Sequence, residues 1–129
     1  MAVQRTNPAG NSQPTGYTHV VTTDPVVLQG LNLRVRGAIG IRATGAVNLT
    51  VRRSTLIAID PPITQGSLIR VTNDAGQSGG RAHAVVLNSS IDGAVVKSER
   101  FAARPEITAI EFRGDIDGVI ERNMIRRTG

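Results

Sequence analysis

Four carboxylates stand where a strand-rich chain could do acid–base or cation chemistry: Asp92, Glu111, Asp115 and Asp117. Two of them sit in Ile-Asp-Gly triplets, Ile91-Asp92-Gly93 and Ile116-Asp117-Gly118, so stacking of these segments would lay Asp92 over Asp117. Such a pair could hold calcium, or act as acid and base in turn. The same triplets have a plainer reading, an Asx turn followed by a glycine at positive φ. That reading is preferred, and no residue is assigned a catalytic role. Glu111 falls at an outward position and reads as a solvated glutamate rather than a catalytic one, and the same caution applies to Glu99 and Asn123, which share a column with Ser54. Neither His19 nor His83 has a carboxylate cluster beside it in sequence. The chain has no cysteine, which removes disulfides, thiolate metal sites and cysteine nucleophiles. No metal site or cofactor is expected beyond the calcium that paired aspartates would allow.

The formal charge is +5, and arginine supplies most of the positive side chains. Arg34, Arg36, Arg52 and Arg53, with Arg126 and Arg127, are the candidates for binding an acidic partner such as an acidic polysaccharide. A guanidinium fork takes carboxylate or sulfate in bidentate fashion. The alternative is that these charges only keep strand edges from pairing with foreign chains. Tyr17, Phe101 and Phe112 are the only aromatic residues, too few to build stacking platforms for bases or sugars. This composition argues against nucleic acid as the partner.

The elements that would position these groups fall into two stretches. Residues 1–24 are interrupted by Pro8, Gly10, Pro14 and Gly16 and read as an extended arm, able to cap an open end or reach a neighbouring subunit. No secretory signal or membrane-spanning run is expected from this leader or from the rest of the chain. From residue 25 to 129, short runs of β-branched and aliphatic residues alternate with Gly, Asp and Asn, the pattern of many short strands in one all-β domain.

Internal repeats run through this second stretch. Ala84–Gly93 lies over Ala109–Gly118 at an offset of 25, and Val96–Phe101 over Ile120–Ile125 at an offset of 24. Leu28–Leu33 and Val51–Leu56 repeat the latter unit. The alignment predicts inward columns Leu28/Val51/Val96/Ile120, Leu33/Leu56/Phe101/Ile125, Ile39/Val85/Ile110 and Ile41/Leu87/Phe112, each residue contributing roughly 1.5–3 kcal/mol on burial. It also predicts outward columns Gln29/Arg52/Lys97/Glu121 and Arg42/Asn88/Arg113. A strand over Ser67–Thr72 and an excursion over Asp74–Arg81 complete the pattern.

The segments GIRATGAVNLTVRRSTL, VVLNSSIDGAVVKSERF and IEFRGDIDGVIERNMI resemble the coils of the right-handed parallel β-helix superfamily, the pectin lyase-like and tailspike-like proteins, over about residues 25–129. The resemblance implies a solenoid of about four to five coils behind an irregular N-terminal arm. Its catalytic motifs are not found here. The expected function is therefore a non-enzymatic structural or binding module of a viral or extracellular assembly, with a homo-oligomer or capping subunit covering an end that stops abruptly at Arg127-Thr128-Gly129. The alternatives are a polysaccharide lyase or glycoside hydrolase acting on an acidic polysaccharide, and a capsid-decorating protein of another all-β fold. Separately, Val3–Pro8 and Pro14–Val21 are similar to the opening of the reactive-intermediate (enamine/imine) deaminase family, whose later segments have no counterpart here.

Overall fold

The computed structural model describes residues 18–20, 25–35, 39–59, 65–74, 80–94 and 106–128. Among them the strands are β1 (Thr18–Val20), β2 (Pro25–Gln29), β3 (Asn32–Val35), β4 (Ile39–Thr44), β5 (Asn48–Arg52) and β6 (Thr55–Ala58). Then come β7 (Gln65–Asn73), β8 (Ala82–Leu87), β9 (Ser90–Asp92), β10 (Glu106–Gly114), β11 (Ile116–Glu121) and β12 (Met124–Arg126). β1 lies inside the stretch read as an arm; the call on residues 1–17 and 21–24 lies outside the described residues.

The fold is all-β, and every pairing is parallel. Three four-stranded sheets run in the orders β11-β8-β5-β2, β12-β9-β6-β3 and β1-β4-β7-β10. Each sheet takes every third strand, so three successive strands form a layer and the next three are laid on it in register. One apolar cluster, with members from all three sheets, fills the space between them.

The register corrects the sequence alignment in part. Leu28, Val51 and Ile120 do share a column, but the fourth member is Val86, not Val96. Likewise Leu33, Leu56 and Ile125 stack with Ile91, not Phe101. The third sheet stacks Ile41, Ile69 and Ile110, so Val85 and Leu87 have no place in its columns. Of the outward columns, Gln29/Arg52/Glu121 contains Leu87 rather than Lys97, and Arg42 stacks with Arg70 and Glu111 rather than with Asn88 and Arg113. The cause is a slip by one sheet. Ala84–Gly93 spans β8, a corner and β9, while Ala109–Gly118 spans β10, a different corner and β11. Both read as alternation, turn, alternation, so they align in sequence although Ala84 pairs with Gly118.

The corner between the first and second sheets is built the same way in every layer. Gly30, Arg53, Asn88 and Arg122 occupy it with φ of 67°, 49°, 48° and 56°. Three of the four are not glycine, and left-handed backbone costs such residues roughly 1–2 kcal/mol. Hydrogen bonds between layers offset the cost. The N–H groups of Gly30, Arg53 and Asn88 donate to the carbonyls of Arg52, Leu87 and Glu121 in the following layer. One residue further on, Leu31 N–H donates to Ser54 Oγ at 3.2 Å, Ser54 N–H to Ser89 Oγ at 3.2 Å, and Ser89 N–H to Asn123 Oδ1 at 2.9 Å. These polar side chains donate in turn to the carbonyls of Arg52, Leu87 and Val86. Ser54 and Ser89 are buried, yet each is satisfied, as buried polar groups must be.

Gly40 and Gly118 are among the glycines fixed by close approach. A Cβ on Gly40 would lie 2.5 Å from the Leu68 carbonyl oxygen, and one on Gly118 would lie 2.5 Å from the Phe112 ring. Gly118 ends a column that narrows from Val26 and Leu49 to Ala84. Its missing side chain leaves room for Phe112 to lean over the last layer.

Candidate functional site

Asp92 does not lie over Asp117. Its ladder neighbours in the second sheet are Ile57 and Arg126, whereas Asp117 in the first sheet is opposite His83. The acid–base pair that sequence stacking suggested is therefore not formed. Asp92 is buried at 3% exposure. Its Oδ1 accepts from Ala94 N–H at 2.8 Å, an Asx turn, and from Arg127 Nε at 2.8 Å. Its Oδ2 accepts from Arg127 Nη2, with Arg126 Nε at 3.3 Å. The positive φ of this turn falls on Ala94, at 55°, not on Gly93. The hydrogen bonds from Arg127 chiefly lower the Asp92 pKa to about 2, against the opposing effect of burial, with help from Ala94 N–H and the charge of Arg126.

Glu111 is half-buried on the outer side of the third sheet, not freely solvated. It accepts from Ser67 Oγ at 3.0 Å, Arg70 Nε at 3.1 Å and Arg113 Nη2 at 2.8 Å. Burial pushes its pKa up, but the Ser67 hydroxyl and the two guanidinium groups outweigh burial, and the net shift is downward. Asp115 and Asp117 are exposed. Arg81 Nε meets Asp115 Oδ1 at 2.9 Å, Arg81 Nη1 meets Asp117 Oδ1 at 3.3 Å, and His83 Nδ1 is 3.7 Å from Asp117 Oδ2. The hydrogen bond to Asp115 is the main reason the Arg81 pKa is raised.

Each candidate carboxylate is thus engaged by arginine, and the downward shifts of Asp92 and Glu111 make those two a poor starting point for a general acid near neutral pH. Among the described residues no three His, Asp or Glu side chains are grouped to hold a metal ion. No helix among them is long and apolar enough to cross a membrane.

The candidate ligand-binding arginines are not gathered into one constellation. Arg34 is exposed on β3, and Arg52 is exposed on β5 with its Nε 2.6 Å from Gln29 Oε1. Arg36 lies outside the described residues. Arg53 lines a shallow groove of about 540 Å³ along the first corner, shared with Asn88, Arg122 and Met124. Arginine at a left-handed corner position carries no sequence signal of a turn, which is why the groove was not foreseen.

Among the described residues the large apolar side chains left exposed all lie in the last layer. Ile120 and Ile125 end two columns that are sealed in every earlier layer, yet they are 48% and 44% exposed, beside Met124 and Val119. Among the described residues, strands β10, β11 and β12 each stand at the end of their sheets with one edge unpaired. Comparison of the chain with protein-family models, with curated proteins and with solved structures finds no match.

Proposed function

We propose that the chain is a right-handed parallel β-helix that works as a non-enzymatic structural or binding module, its last coil completed by another protein layer. Three parallel sheets visited in strict rotation support the solenoid, and the strong preference of parallel crossovers for one hand supports a right-handed one. The observation that carries the functional reading is the exposure of Ile120 and Ile125, which end buried columns on strands whose outer edges are unpaired among the described residues. A solenoid end in that condition needs a cover. The resemblance of the sequence repeats to tailspike-like coils supports a viral or extracellular assembly as the setting for such a module. An acidic polysaccharide is the ligand best matched to the arginines of the corner groove.

The test is the mass of the purified chain in solution by light scattering, at low and high salt. A stable species larger than the monomer is expected at both, since apolar burial is the main contact. A monomer at all concentrations would contradict the assembly reading. Turnover of an acidic polysaccharide, lost in Asp117→Asn or Glu111→Gln, would instead establish the enzymatic alternative.

A further inference from the structure

We propose that the cover over the last coil is a second copy of the same chain, docked end to end about a two-fold axis that passes the β11–β12 corner. This inference rests on the assembly reading above and names the partner. The apolar rung fits such an axis. Ile120 and Ile125 flank the corner on its two arms, so a two-fold there lays Ile120 of each copy on Ile125 of the other, closing both core columns at once.

The charges point the same way. Around this end, Asp92 is taken by Arg126 and Arg127, Asp115 and Asp117 by Arg81, and Glu111 by Arg70 and Arg113. Glu121 and Arg122 have no ion-pair partner among the described residues, are both exposed, and are adjacent at the corner. A two-fold axis brings Glu121 of one copy within reach of Arg122 of the other, twice, an isologous and self-complementary contact.

Head-to-tail stacking of copies fits less well. The opposite end is already closed, with Leu28 and Leu33 sealed and Leu31 buried at the ladder position, and Leu31 has no side-chain oxygen to accept from the N–H of Asn123, whereas the later layers each supply one. It would also set Arg34 next to Arg126, since these begin and end one column through Ile57 and Asp92. Arg34 would then face Arg126, whose nearest carboxylate, Asp92, is already shared with Arg127.

The experiment is sedimentation equilibrium of the full chain and of two charge-reversal variants, Glu121→Arg and Arg122→Glu, alone and mixed in equal amounts. Far-UV circular dichroism would verify that each variant folds. The wild-type chain should be a closed dimer, and each variant alone should dimerise about tenfold more weakly or worse, because its reversed charges face like charges. The mixture should recover the wild-type affinity, since each variant then supplies the complement of the other. Open-ended polymers, or a dimer indifferent to both substitutions, would overturn the two-fold proposal and leave the assembly reading standing. A monomeric wild-type chain would overturn both.

Discussion

Leu28 and Leu33 in the first layer hold the same two columns as Ile120 and Ile125 in the last, yet the leucines are fully sealed and the isoleucines are 48% and 44% exposed. The residue types are equivalent and the strands are alike, so the difference lies in what covers each layer. In a stacked architecture a side chain's burial is set by its neighbours in the adjacent layers more than by its own sequence. The same contrast runs through the corner ladder. Ser54 and Ser89 accept from the layer before and hand their own N–H to the layer after, while Asn123 accepts from Ser89 and has no further layer beside it among the described residues.

The largest effect should come from breaking a sealed column. Leu56→Ala in the middle layer should cost about 2–5 kcal/mol, read as a lowered urea midpoint, because the cavity is closed on every side. Ile125→Ala in the same column should cost the monomer under about 1 kcal/mol, because its site already meets water. Equal losses at the two positions would mean that the last layer is as closed as the middle one.

A smaller effect is expected at the ladder. Ser54→Ala strands the Leu31 N–H in a buried corner and should lower stability by about 1–3 kcal/mol, whereas Asn123→Ala, half-buried at the open end, should cost less. Denaturant titration of the two variants side by side would reveal any reversal of that order.

The smallest and most selective effect is on pH dependence. Asp92 has a folded pKa of about 2, below its ordinary value of 3.8, so its ionised form stabilises the fold at neutral pH. That contribution is full above the unfolded pKa and fades as pH falls through about 4 toward 2. Asp92→Asn should flatten the stability profile in that window while leaving the profile above pH 5 parallel to wild type. A window unchanged in Asp92→Asn would show that the arginine clamp on the last layer does not form.

Much of the architecture was legible in the sequence, because alternation, β-branched residues and turn glycines state the strand class directly. The placing of Leu28 with Val51 and of Leu33 with Leu56 came from a spacing of 23 residues that the first two layers keep, whereas Ile120 and Ile125 joined these columns through an offset of 24 from Val96 and Phe101, where the register has Val86 and Ile91. The later layers are longer, at 35 and 34 residues, and alignment at 25 matched one corner with another. Ser54 and Asn123 were placed in one column, but their role was hidden, since a serine that accepts from a backbone N–H in another layer looks like any surface serine. The carboxylates were visible as residues. Their arginine partners were not, because Arg81 reaches Asp115 and Asp117 from 34 and 36 residues away, and Arg127 reaches Asp92 across 35.

The stacking register is the claim on which the sealed columns, the ladder and the open end all depend, and the absence of native cysteine makes it directly testable. Arg52 and Leu87 are ladder neighbours, whereas the sequence repeat pairs Arg52 with Lys97. Adjacent strands lie about 4.8 Å apart, within disulfide range. The measurement is oxidation of two double variants, Arg52→Cys with Leu87→Cys and Arg52→Cys with Lys97→Cys, followed by mass spectrometry of the intramolecular bond. Rapid bridging of 52 to 87, with 52 to 97 left reduced, is the result this register requires. Bridging of 52 to 97 and not of 52 to 87 would contradict it, and with it the assignment of Ile120 and Ile125 to the open end.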